Sequence, residues 1–200
     1  MKVKTLIGLI ALSTLVGCAS YNAQPYTVLT DNQTAIKNAA SATNSTQIAL
    51  DTVTLDENVN PSLTCRAAGP VNPAPGKTVA QYIEEALKSE LHTGGIYSPE
   101  ATHRIKAKVT ALGFSSVGSA NWALGLHLAS SSLPEGYDVN IRYPFSASFF
   151  ADYACRDVAE AFAPAVQKLV NETVTAPQFM QLIQPPKVGV NQIQESNKTF

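Results

Sequence analysis

Neither sign of charge dominates this sequence. Lys and Arg number 14 against 15 Asp and Glu, a formal balance of −1 over 200 residues. A chain without a basic surplus lacks the electrostatic footprint that phosphate backbones select, so no nucleic-acid partner is expected. Clustered metal ligands are missing too: His92, His103 and His127 share no short spacing, and Cys18, Cys65 and Cys155 form no close pair. Zinc sites take paired Cys or His a few residues apart, and no metal or cofactor is expected. A membrane-crossing helix is also absent, because the longest apolar run, between Lys4 and Cys18, holds about 13 residues where a span needs about 20. What remains is an ordinary globular composition, 45% hydrophobic with 11 Gly and 12 Pro, sized for one domain.

The amino terminus reads as an address. Lys2 and Lys4 precede the apolar run at residues 6–12 (LIGLIAL), and Leu15-Val16-Gly17-Cys18 follows, the n-region, h-region and small-residue end of a signal peptide over residues 1–17. The four residues LVGC resemble the bacterial lipobox. That resemblance implies lipidation of the Cys18 sulfur, cleavage before it and acylation of the new amino terminus, which together give stable anchoring to one leaflet. Ala19 and Ser20 lack the Asp associated with inner-membrane retention, so the expected location is the periplasmic face of the outer membrane.

Removal of residues 1–17 takes away two lysines and no acid, leaving 12 basic against 15 acidic residues. With Cys18 acylated, Cys65 and Cys155 remain as an even pair in an oxidising compartment, and a disulfide between them is expected. Closing a loop of about 90 residues stabilises by about 4 to 5 kcal/mol in the chain-entropy picture. The alternative is two free thiols buried in separate places.

Residues 18–45, rich in Asn, Ala, Ser and Thr, read as a lipidated flexible tether able to reach roughly 90 Å when extended, and residues 184–200 as a loose tail. A single domain is expected over residues 46–183. Its first strand is residues 47–56, followed by a Pro-rich loop from Pro61 to Pro75. Thr78 is placed to cap a helix whose Val79, Ile83, Ala86, Leu87 and Leu91 share a face, with Glu84 and Lys88 paired and Gly94-Gly95 as the stop. Residues 104–112, 122–130 and 137–149 alternate with period two and predict a three-stranded antiparallel meander. Residues 155–170 have helical spacing broken near Ala163 by Pro164, and residues 178–183 add a short packed segment. The expected class is α+β: a mainly antiparallel sheet of about four strands with two main helices on one face.

Anchored Cys, strand, helix, meander and closing helix are similar to the layout of small proteobacterial envelope lipoproteins, including the lipopolysaccharide-assembly lipoprotein and the auxiliary lipoproteins of lipid-transport systems. The segments Cys65-Arg66-Ala67-Ala68-Gly69-Pro70-Val71, Tyr82-Ile83, Ala86-Leu87, Glu90-Leu91, Ala154-Cys155 and Ala165-Val166-Gln167 resemble an uncharacterised lipoprotein family over residues 47–183. The resemblance implies a scaffold more than a chemistry.

Catalytic patterns fail on spacing. Gly113 to Gly118 (GFSSVG) places its second glycine one residue too late for a nucleophile elbow, and Gly76-Lys77-Thr78 has Val71 where a phosphate loop needs glycine. Glu84-Glu85 belongs to a helix surface, and Asp152 and Asp157 suit a helix start. No enzyme is expected. Two surface features remain: the basic row Arg104, Lys106 and Lys108 on one face of a strand, suited to anionic headgroups or an acidic partner, and the adjacent Phe149 and Phe150, which cannot both enter one core from an extended strand. The expected role is an accessory module docking onto an envelope protein partner through its sheet edge or aromatic rim. The alternative is a carrier or sensor holding a lipid or glycan between sheet and helices, which requires an apolar cavity of several hundred cubic ångströms, about 300 Å³ at least.

Overall fold

Period-two alternation over residues 104–144 folds as an antiparallel meander in the computed structural model, which describes residues 21–45, 47–66 and 68–186. In chain order the elements are β1 (Tyr21–Asn22), α1 (Thr30–Thr43), β2 (Ala49–Leu50), β3 (Thr54–Leu55), β4 (Leu63–Cys65), β5 (Gly69–Asn72), α2 (Val79–Thr93), β6 (Arg104–Ser115), β7 (Asn121–Ser130), β8 (Leu133–Pro144), α3 (Ala151–Glu160), α4 (Phe162–Thr175) and α5 (Pro177–Ile183). The larger sheet runs β2-β6-β7-β8, with β3 also on β6. Ile105, Ala107 and Val109, with Trp122, Leu124, Leu126 and Leu128 and with Tyr137, Val139 and Ile141, line its buried face. α4 and α5 pack against β7 and β8, and α1 and α2 pack against α4. The class is α+β, as the sequence pattern predicts.

Trp122 anchors the centre. Its indole nitrogen donates to the Val158 carbonyl at 2.9 Å, and its ring lies 5.0 Å from Phe114 and 4.9 Å from Phe162. A buried indole needs both a packing partner and an acceptor, and here the meander and α3–α4 supply them together. α2 begins with a full capping box: the Thr78 hydroxyl accepts from the Gln81 amide at 3.1 Å and the Gln81 side chain accepts from the Thr78 amide at 2.8 Å, satisfying two donors left over at a helix start. It ends at Gly94, as expected.

Beside a third meander strand that spans Leu133–Pro144 instead of residues 137–149, four features depart from the sequence reading. Residues 21–45 are not a free tether. β1 pairs parallel with β5, and α1 buries Ile36 completely. The polar composition hid a helix with a single narrow buried stripe, Asn32, Ile36 and Ala39. Second, residues 47–56 split into β2 and β3, both parallel to β6, so that edge of the sheet is parallel while the meander is antiparallel. Third, the Pro-rich loop contributes β4 and β5 to a small sheet ordered β1-β5-β4. Fourth, the break falls at Ala161, and Pro164 sits in the first turn of α4, where its missing N–H costs no hydrogen bond. The signal peptide, Cys18 and residues 187–200 of the predicted tail lie outside the described residues; Gln184 is held by the Ser132 hydroxyl, which donates to its carbonyl at 2.7 Å.

Candidate docking surfaces

Cys65 and Cys155 are joined, with Cα atoms 5.7 Å apart across 90 residues of sequence. The bridge pins the small sheet to α3. Beside it, Arg66 adopts a left-handed backbone, φ 50°, a conformation that costs a non-glycine residue about 1 to 2 kcal/mol. Its guanidinium offsets that cost by donating to the carbonyls of Ser116 (2.5 Å), Ser148 (3.3 Å) and Phe149 (2.8 Å) and to the Ser116 hydroxyl at 3.2 Å. Charge-assisted bonds of this kind are stronger than neutral ones, and they fasten the turn after β6 to the segment entering α3.

That segment carries aromatic side chains into solvent. Phe149 is 91% exposed, Phe150 67% and Tyr153 57%. The two phenyl rings meet edge to face at 5.9 Å, and the Arg156 guanidinium lies 5.7 Å from the Tyr153 ring centre. Phe150 occupies the N-cap of α3 and makes no side-chain capping bond, at a position where Ser, Thr, Asp or Asn is worth about 1 kcal/mol more. Val117, 70% exposed, sits on the turn that Arg66 ties down. Scattered exposed apolar residues are ordinary, but a contiguous cluster marks an interaction site. Sequence reasoning left open which of Phe149 and Phe150 faces solvent. Both do.

The basic row emerges on the outer face of the larger sheet, but it is not bare. Arg104 pairs with Asp51 at 2.5 Å and Lys108 with Asp56 at 3.8 Å, both acids coming from the β2–β3 segment. Bonds from the Asn58 amide and side chain, with Lys108 nearby, hold the Asp56 carboxyl below its ordinary range. Among the described residues only Lys106 of the three lacks an acidic partner. The structure does not bring this row together with Phe150: seven strand steps separate Lys108 from Ser115, about 23 Å at the usual rise.

The free edge of the larger sheet is β8, which pairs with β7 and with no other described strand. Its solvent-facing positions include Glu135, Asp138, Asn140 and Arg142.

Inside, the space between sheet and helices is closed. A cavity of about 10 Å³ lies among Leu50, Leu91, Ile105, Leu128, Phe179 and Leu182, with Glu90 on its wall. Glu90 is fully buried; its Oε1 accepts from the Tyr26 hydroxyl (2.7 Å), the Leu29 amide (2.9 Å) and the Asn32 side chain (2.9 Å). Burial, with the bond to Glu90 second, pushes the Tyr26 hydroxyl far above its ordinary value. The other carboxylate oxygen of Glu90, Oε2, has no hydrogen-bond partner among the described residues. Sequence reading gave Glu90 no role; its place on the apolar stripe of α2, where a charge is unusual, was the available signal. The histidines are not assembled into a site. His103 is buried and donates from Nε2 to the Leu182 carbonyl at 2.8 Å, His127 meets Asp138 at 2.9 Å, and His92 lies in the last turn of α2. Among the described residues no group of acidic, Cys and His side chains has metal-binding geometry.

No family model and no curated protein sequence matches the chain. Among solved structures it is similar to a Xanthomonas campestris protein of the family DUF330, with 12% identity, a TM-score of 0.46, and coverage of 78% of this chain and 94% of that one. A second crystal structure, of a protein described as uncharacterized, is 10% identical with a TM-score of 0.42, covering 78% of this chain and 99% of the other. These likenesses concern the path of the chain and transfer no residue role.

Proposed function

We propose that the chain is a lipid-anchored accessory protein of a bacterial envelope, held at the periplasmic face of the outer membrane through Cys18, that docks onto an envelope assembly and performs no chemistry of its own. The observation that carries this reading is where the room is. A carrier needs about 300 Å³ or more of apolar space, and the cavity found between sheet and helices among the described residues holds about 10 Å³, enough for one water at most. Outside, β8 offers an unpaired edge, a surface on which an extended segment of a partner can add a strand, and Lys106 remains an unneutralised cation on the outer face.

In-cell crosslinking of the tagged, lipidated protein, with mass spectrometry of co-purified proteins and lipids, tests the docking role. One enriched envelope protein, lost when Asn140 of β8 is changed to Pro, is the expected result; a reproducible internal lipid or glycan with no protein moves the function to carriage. Cys18→Ser tests the anchor, since a variant that still fractionates with membranes contradicts it.

A further inference from the structure

We propose that Phe149, Phe150 and Tyr153 form a seat on the phospholipid surface, the rings entering the headgroup boundary of the same leaflet that holds the anchor. The inference rests on the anchoring reading of Cys18 and goes beyond it, because it fixes which end of the domain meets the lipid.

Where the chain leaves the described residues decides the occupant. The Tyr21 hydroxyl donates to Asp152 Oδ1 at 2.7 Å, and Asp152 stands in the first turn of α3, between Phe150 and Tyr153 in sequence. Cys18 lies three residues before Tyr21, at most about 10 Å of extended chain. An acylated residue that close holds this end of the domain within reach of the bilayer. The tether reading allowed roughly 90 Å of separation; the pairing of β1 with β5 removes it.

The chemistry of the cluster fits the same occupant. Phe and Tyr rings settle at the level of lipid headgroups, and basic side chains favour anionic ones. Arg156 lies against the Tyr153 ring, and the neighbouring acid Asp152 is engaged by Tyr21. The mount is stiff. Arg66 grips the carbonyls of Ser148 and Phe149, the Ser148 amide donates to Asp157 at 2.8 Å, and the disulfide holds the first turns of α3. A backbone already fixed in this way leaves only side-chain freedom to lose on contact, which favours binding. A protein partner on this patch is the competing occupant and an outcome of the test.

The test uses the lipidated full chain carrying Phe150→Trp, reconstituted in vesicles of phosphatidylethanolamine and phosphatidylglycerol with brominated or unbrominated acyl chains. The native Trp122, fully buried, serves as the internal control. Bromine is expected to quench about half of the emission of the introduced indole, as for a side chain sunk about 5 to 10 Å into the boundary, and to leave Trp122 unchanged. Phe149→Ser with Tyr153→Ser should reduce that quenching without moving the thermal midpoint. Protein that floats with the vesicles but shows no quenching overturns the seat and leaves the anchor standing. Protein that does not float overturns the anchor, and the seat with it. A photo-crosslinker at position 149 is expected to give phospholipid adducts in cells; a protein adduct instead overturns the lipid occupant.

Discussion

Gly94 and Ile36 together test whether the amino-terminal segment is built into the fold. Gly94 ends α2 with φ −69° and ψ −11°, a conformation open to alanine. On backbone grounds alone, Gly94→Ala should stabilise by about 0.4 to 1 kcal/mol through the unfolded chain. The neighbour reverses the sign: a Cβ there would lie 2.5 Å from Ile36 Cγ2 and 2.9 Å from Ile36 Cβ. Overpacking of that kind costs about 1 to 3 kcal/mol, so the net expectation is a loss of about 1 to 2 kcal/mol, or several degrees of melting temperature. Ile36→Ala empties a fully buried site and should cost about 2 to 5 kcal/mol. The double variant removes the Cγ2 contact, so it should be less damaged than the sum of the two by about 1 kcal/mol. Urea titrations followed by Trp122 fluorescence measure all three. Were α1 merely part of a tether, Ile36→Ala would be silent and Gly94→Ala neutral or stabilising. That pair of results would refute the docking of α1.

Reduction of the Cys65–Cys155 bridge should lower stability by about 4 kcal/mol; peptide mapping of unreduced protein should find neither thiol open to alkylation, and labelling of either one contradicts the pairing. Alkaline pH should weaken the fold for a different reason. Burial pushes the Tyr82 hydroxyl up to about 12 and raises Tyr137 as well, so the folded chain keeps protons that the unfolded chain releases above 10. The stabilisation is complete below pH 10 and falls as pH rises from there toward 12. Urea midpoints across that range should decline, and Tyr137→Phe should flatten the decline while forfeiting the bond to the Thr173 carbonyl, 2.9 Å; a wild-type midpoint constant to about pH 12 contradicts the burial of these hydroxyls.

The meander and α2 are legible in the sequence because each repeats a simple period and carries its own punctuation: alternation in residues 104–144, Thr78 and Gly94 at the ends of the helix. α1 is not legible, for a physical reason. Its stripe is Asn32, Ile36 and Ala39, one large apolar side chain in four turns, and its place depends on partners far away in sequence. Asn32 reaches Glu90, 58 residues on, and accepts from Asn171, 139 residues on. Local patterns cannot register such bonds. The parallel edge formed by β2 and β3 is hidden likewise, since two-residue strands are defined by the neighbour they meet on β6. At the candidate surfaces, adjacency of Phe149 and Phe150 announces that at least one ring is stranded. What alternation cannot reveal is that the strand ends at Pro144, which puts both rings in the loop before α3 and outside any sheet.

The division of surfaces follows from the direction of the strands. β6 runs from Arg104 to Ser115, and Ser115 pairs with Asn121, which pairs with Pro144; these residues share the end of the sheet that carries Val117, Phe149 and Phe150. Eleven steps of strand separate that end from Arg104, about 36 Å. With the aromatic end seated on the lipid as proposed, β8 runs toward the membrane, Leu133 farthest from the leaflet and Pro144 nearest, so that its edge stands out into the periplasm. Such an edge invites pairing between copies of the chain. Pro134 near its start, Pro144 at its end and the charged Glu135, Asp138 and Arg142 between them oppose flat self-association, since proline withholds a donor and the charges resist desolvation. A partner strand must therefore answer two acids and a base in register, and that requirement, more than the edge itself, gives the proposed docking its selectivity.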